Sequence, residues 1–165
     1  MVNCDFSNSG CEGGMLTNSL LYLVGYGIAT EECLPYANQL NYCMYRCDDP
    51  SIPYKKYGCI GGTFKIATNH VDIMRELMAN GPMMVAMEIY EDFMSYAGGI
   101  YQYTDGEHSG AHAVKIIGWN HDADGNLYWI CQNQWATDWG ESGYFNIYAG
   151  ELGLDSAAYA CMPNV

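Results

Sequence analysis

The chain has 165 residues, half of them hydrophobic, with 15 tyrosines and only six Lys plus Arg against 19 Asp plus Glu. That length allows about one domain with a real core, and a formal charge of -13 argues against nucleic acid or an anionic membrane surface as partner. No apolar run approaches the roughly 18 residues that span a bilayer, and "MVNCDFSNSG" lacks the basic start and apolar stretch of a secretion signal.

In chain order, "NSGCEGG" (8–14) sets two adjacent glycines before a helical pattern. In "GGMLTNSLLYLVGYG" the residues Leu16, Leu20, Leu23 and Val24 recur at helical spacing, and Gly25 and Gly27 are stop signals. Residues 30–62 contain Pro35, Pro50, Pro53 and four cysteines, which predicts an irregular, cross-linked loop region. "NHVDIMRELMANGP" predicts a second helix, with Asn69 as cap, Val71, Met74 and Met78 as one face, and Gly81-Pro82 as its end.

From Pro82 the texture changes. "MMVAMEIY", "HAVKIIGW", "NLYWICQNQ" and "GYFNIYAG" are short β-rich runs, and "DADGN" (122–126) reads as a hairpin turn. A helical part over about 1–80 and an antiparallel part over about 82–165 predict an α+β fold. No internal repeat or low-complexity tract interrupts it.

Eight cysteines need an explanation. They lack the two-pair C-x-x-C spacing of zinc sites, and the four histidines do not cluster. Disulfides formed in an oxidising compartment are the better reading than metal, and no cofactor is expected. An export-style cysteine pattern without an export signal predicts a front segment ahead of Met1.

The chemistry centres on "SGAHAVKIIGWN" (109–120), which puts His112 at the mouth of a strand. An imidazole that works as a base needs a partner to fix its tautomer, and a side-chain amide serves by accepting from one ring nitrogen. "QNQWATDWGESGYF" (132–145) offers Asn133, with Trp135 and Trp139 to shield that bond from water. Exposed backbone at Gly13-Gly14 is suited to pairing with an extended peptide. Together these residues make half of a thiol-peptidase site.

The blocks "VNCDFSNSGCEGG", "GIATEECLPY", "NGPMMVAMEIYEDFMSYAGGIY", "GAHAVKIIGW", "YWICQNQWATDWGESGYFNI" and "GLDS" occur in the order and spacing of one family. The chain resembles the papain-like cysteine peptidases over essentially its whole length. It is most similar to the cathepsin C and cathepsin B branches, without the long histidine-bearing occluding loop of the latter. The resemblance implies a two-lobed fold, with an incomplete helical lobe and an antiparallel, barrel-like β lobe. It also implies hydrolysis of peptide bonds in peptide or protein substrates, and a lysosomal, vacuolar or secreted location.

Residue by residue, the resemblance makes His112 the general base and acid, Asn133 its orienting amide, Trp135 the shielding indole and Trp139 the second aromatic. Gly13 and Gly14 become the strip that pairs with substrate backbone. Met15, Leu16, Ala86, Ala113 and Ala157 become the lining of the main specificity pocket, which favours a hydrophobic side chain. It pairs Cys4 with Cys43 and Cys33 with Cys47, and leaves Cys11 without its usual mate. Leu152 replaces a cysteine of some relatives, and Cys59, Cys131 and Cys161 are expected as buried free thiols.

Two departures matter. The family nucleophile lies in a C-G-x-C-W run, beside a glutamine that donates to the oxyanion; no such run occurs among the 165 residues. The expected source is an N-terminal segment or a second chain, and this chain alone is expected to be inactive. An apolar face of the first helix should then be open to that partner or to self-association. The alternative is an inactive peptidase-like protein that serves as a binding or structural subunit. The second departure is that Gln134 and Ala136 stand where the family has Ser and Gly.

Overall fold

The computed structural model describes residues 1–164. The elements are α1 (Leu16–Gly25), β1 (Gly58–Cys59), β2 (Lys65–Ala67), α2 (His70–Asn80), β3 (Met83–Tyr90), α3 (Glu91–Met94), β4 (Ile100–Tyr101), β5 (His108–His121), β6 (Leu127–Gln132), β7 (Tyr144–Tyr148), β8 (Ala158–Ala160) and β9 (Pro163–Asn164). They fall into two compact units, Met1–Lys65 with the C-terminal segment from Cys161, and Ile66–Ala160. The division therefore lies near residue 65 rather than at 80–82. Helix α2 belongs with the sheet because its apolar stripe packs there.

In the first unit, Asp5 is buried and accepts from Ser7 N at 3.1 Å and from Asn8 Nδ2 at 2.7 Å. Asn8 turns this anchor towards α1: its Oδ1 accepts from Met15 N at 2.8 Å, and its Nδ2 also reaches Ser19 Oγ at 3.1 Å. Gly14 is required beside it, since a Cβ there would collide with the Asn8 side chain. Helix α1 buries Leu20 and leaves Leu21 and Val24 exposed.

Disulfides staple the rest of this unit. Cys4 joins Cys43, Cys33 joins Cys47, and Cys59 joins Cys161. The expectation of free thiols at Cys59 and Cys161 is thus overturned. Antiparallel pairing of β1 with β9, in which Cys59 stands opposite Pro163, brings residues 102 apart in sequence together. Cys11 is free and exposed, and Cys131 is free and buried.

The second unit is built on a seven-stranded sheet in the order β2-β8-β3-β5-β6-β7-β4. Its pairs β3–β5, β3–β8, β5–β6 and β6–β7 are antiparallel, whereas β4 runs parallel to β7, and the sheet does not close on itself. Alternation along β3 sends Met83, Val85, Met87 and Ile89 to one face, where they meet Val114, Ile116, Trp129, Cys131, Phe145 and Ile147 in the core. Each such side chain contributes on the order of 1.5–3 kcal/mol through burial. The loop 122–126 closes the β5–β6 hairpin, with Asp122 N donating to Asn126 O at 3.0 Å.

Helix α2 is capped by Asn69, whose side chain accepts from Asp72 N at 3.0 Å. The buried stripe, however, is Ile73 (0% exposed) with Met74 and Leu77, while Val71 and Met78 are 57% and 71% exposed. The sequence carries two overlapping apolar stripes, at 71/74/78 and at 73/77, and packing selects the second. Asp155 fixes the start of this helix to the sheet: its buried Oδ2 lies 2.8 Å from His70 Nε2 and accepts from Trp129 Nε1 and Gly150 N, each at 2.8 Å.

Candidate active site

His112 stands on β5 opposite Met87 of β3, on the face that turns to the core two residues later at Val114. Beyond β6 the chain leaves the sheet, and Asn133 N donates to Gly143 O at 2.9 Å, which brings the Asn133 amide over the β5 edge. His112 Nε2 and Asn133 Oδ1 are 2.8 Å apart, and Asn133 is 7% exposed. The same Oδ1 accepts from Gln134 N at 2.9 Å. An atom that accepts from a backbone N–H is an oxygen, so Nε2 of the neutral ring carries the proton and Nδ1 keeps its lone pair.

Aromatic rings wall this pair. The Trp135 ring centroid is 4.7 Å from that of His112, with planes 31° apart, and Trp139 meets Trp135 edge-on at 5.1 Å. Phe93 supports both indoles, at 5.6 and 5.1 Å, and Trp139 Nε1 donates to Met94 O at 3.1 Å, fixing its ring to α3. Burial pushes the His112 pKa below its ordinary 6.5, and the bond to Asn133 acts in the opposite direction. The group is thus a neutral imidazole held in one tautomer, able to take a proton at Nδ1 and to return it.

The other residues singled out from the sequence are distributed over both units. Ala86 and Ala113 stand opposite each other on β3 and β5, both exposed. Ala157 directly precedes β8, whose Ala158 pairs with Val85, the residue before Ala86. Gly13, Gly14, Met15 and Leu16 belong to the first unit. Gly13 has φ 95 with nothing near the position of a Cβ, but its N donates to Gly10 O at 3.3 Å and its O accepts from Ser9 N at 2.9 Å, so its own backbone groups are engaged; Met15 is exposed at the start of α1.

Cys131 is two residues from Asn133 but is sealed in the core, where burial pushes its thiol far above the ordinary value. It is an inert core thiol rather than a nucleophile. Two polar contacts were not foreseen: Gln134 reaching the Ala113 carbonyl, and His70 against Asp155. The block "GLDS" marked Asp155 only as part of a pattern, and nothing local to Gln134 signals its partner 21 residues back.

An antiparallel sheet with a shielded imidazole–amide pair at the edge of β5 defines a class, and comparison with known proteins identifies it. The chain belongs to the papain family of cysteine proteases, whose pattern (Papain family cysteine protease) matches residues 1–162. It is 37% identical over 174 residues to Cathepsin B-like protease 1 of Arabidopsis thaliana, covering 94% of this chain and 45% of that protein. It is 36% identical over 173 residues to Cathepsin B-like CP2 of Giardia intestinalis, covering 97% and 55% respectively. Among solved structures, procathepsin B S9 from Trypanosoma congolense superposes with a TM-score of 0.89 at 34% identity, covering 99% of this chain and 58% of that one. The chain spans about half the length of the curated relatives it matches.

Proposed function

We propose that this chain is the larger part of a cysteine peptidase that hydrolyses peptide bonds, with His112 as general base and acid and Asn133 as the amide that orients it. The observation that carries the reading is the 2.8 Å contact between His112 Nε2 and Asn133 Oδ1 beneath the Trp135 indole. The base thereby presents Nδ1 to a nucleophile, and a thiol placed there would form a thiolate–imidazolium pair. In deacylation the same nitrogen would draw a proton from water. The nucleophilic cysteine and its oxyanion donor are supplied by a C-G-x-C-W segment outside these 165 residues, as part of the same protein or as a second chain.

On this reading Gly14 of the first unit pairs with substrate backbone, and Ala86, Ala113 and Ala157 of the second offer apolar surface to a substrate side chain. The exposed Leu21 and Val24 of α1 leave apolar surface for the cysteine-bearing segment, or a second copy, to cover. The disulfides fit an oxidising compartment, lysosomal, vacuolar or secreted.

Intact mass and N-terminal sequencing of native material, followed by an epoxide-type thiol probe, test this. Labelling of a C-G-x-C-W cysteine is the expected result. Native material without such a segment, and without labelling, favours the inactive binding or structural subunit.

A further inference from the structure

Gln134 bonds to both halves of the site. Its backbone N donates to Asn133 Oδ1 at 2.9 Å, and its side-chain Nε2 donates to Ala113 O at 2.5 Å. Ala113 directly follows His112 on β5. From this geometry we propose that Gln134 is a positioning residue that straps the turn bearing Asn133 onto the strand bearing His112. The inference rests on the reading of His112 as the base and adds a residue to that machinery.

The backbone bond decides which way the Asn133 amide faces. If the amide were turned over, its NH2 would meet the Gln134 N–H donor to donor, with no bond possible. The amide has little other preference, because the buried Asn133 Nδ2 has no hydrogen-bond partner among the described residues. Orientation of this amide, and with it the tautomer of His112, therefore depends on where Gln134 is held.

The side-chain bond decides how firmly it is held. Strand β6 ends at Gln132, so Asn133 and its successors lack sheet pairing to fix them to β5. Ala136, three residues on, has φ 70, a left-handed conformation that a Cβ resists. A turn under that strain gains by relaxing, and movement of the turn would carry Asn133 with it. The Gln134–Ala113 bond opposes that movement at its nearest point to the imidazole.

The readout is the tautomer of His112 in the full chain, followed by NMR with nitrogen-15-labelled histidine. Gln134→Ser keeps the backbone N–H and removes the reach to Ala113. The Nε2–H to Nδ1–H ratio should fall roughly fivefold, the factor of one ordinary hydrogen bond, while the amide resonances of β3 and β7 stay in place. Adding Ala136→Gly should restore most of the ratio, because an unstrained turn no longer pulls away. If Gln134→Ser does not fold, Gln134→Lys decides in its place: a donor of similar reach should retain the wild-type tautomer. An unchanged ratio in Gln134→Ser, or a lost tautomer in a folded Gln134→Lys, overturns the strap. A wild-type ring without the Nε2–H tautomer instead overturns the reading of His112 as an Asn-oriented base.

Discussion

The indole of Trp135 covers the imidazole of His112, with ring centroids 4.7 Å apart and planes 31° from parallel. The cover does two things: it keeps water from the His112–Asn133 bond, and it withdraws the ring from solvent. Burial is the larger cause of the lowered His112 pKa and the Asn133 bond the smaller, opposing one. Trp135→Ala should therefore raise the His112 pKa towards 6.5, and Asn133→Ala should lower it further. Titration of the ring by NMR reads both shifts, which should have opposite signs.

The same depression couples His112 to stability. Below 6.5 the unfolded chain binds a proton at this site that the folded chain resists. The contribution is complete above 6.5, and it is lost as pH falls through the window between 6.5 and the lower folded value. Urea unfolding across that window should show stability rising with pH. A His112→Gln variant should lack this limb while keeping the acid limb of carboxylates such as Asp92, whose pKa burial pushes up but hydrogen bonds from Thr104, Tyr101 and Asp105 together hold below the ordinary value.

Ala136 offers a simple gain. At φ 70 its Cβ is strained, and glycine accepts that conformation freely. Ala136→Gly should stabilise the chain by about 1 kcal/mol, the size of the left-handed penalty less part of the added freedom of the unfolded chain. A higher midpoint in chemical denaturation checks it.

The thiols give a count. Cys11 is exposed and free, Cys131 buried and free, and the other six are paired. Maleimide should label Cys11 in the native chain and Cys131 only after unfolding. Non-reducing peptide mapping should recover Cys59 linked to Cys161. Removing that bridge by double serine substitution should cost on the order of 2–4 kcal/mol, since it closes a long loop.

Much of this was legible in the sequence, and for identifiable reasons. Strands β3, β5, β6 and β7 announce themselves because their residues alternate between core and surface, and α1 because Leu16, Leu20 and Val24 share a side. His112 and Asn133 were legible as a pair because few side chains can orient an imidazole. The α2 face was not, because Val71, Met74 and Met78 match helical period as well as Ile73 and Leu77 do. Only the packing against β3 and β5 separates the two stripes. Cys59–Cys161 was hidden by a separation of 102 residues, over which local pattern carries no information. The Gln134 strap was hidden for a different reason: a glutamine in a turn looks the same whether its amide meets water or Ala113.

On the function proposed above, the most direct test is peptide hydrolysis by this chain assembled with a C-G-x-C-W-bearing segment, before and after His112→Ala. A base that takes the thiol proton and returns it to the leaving amine should be worth on the order of 100- to 10,000-fold in rate. His112→Ala should lose activity by that factor. Hydrolysis that persists at the wild-type rate without the His112 imidazole would contradict it.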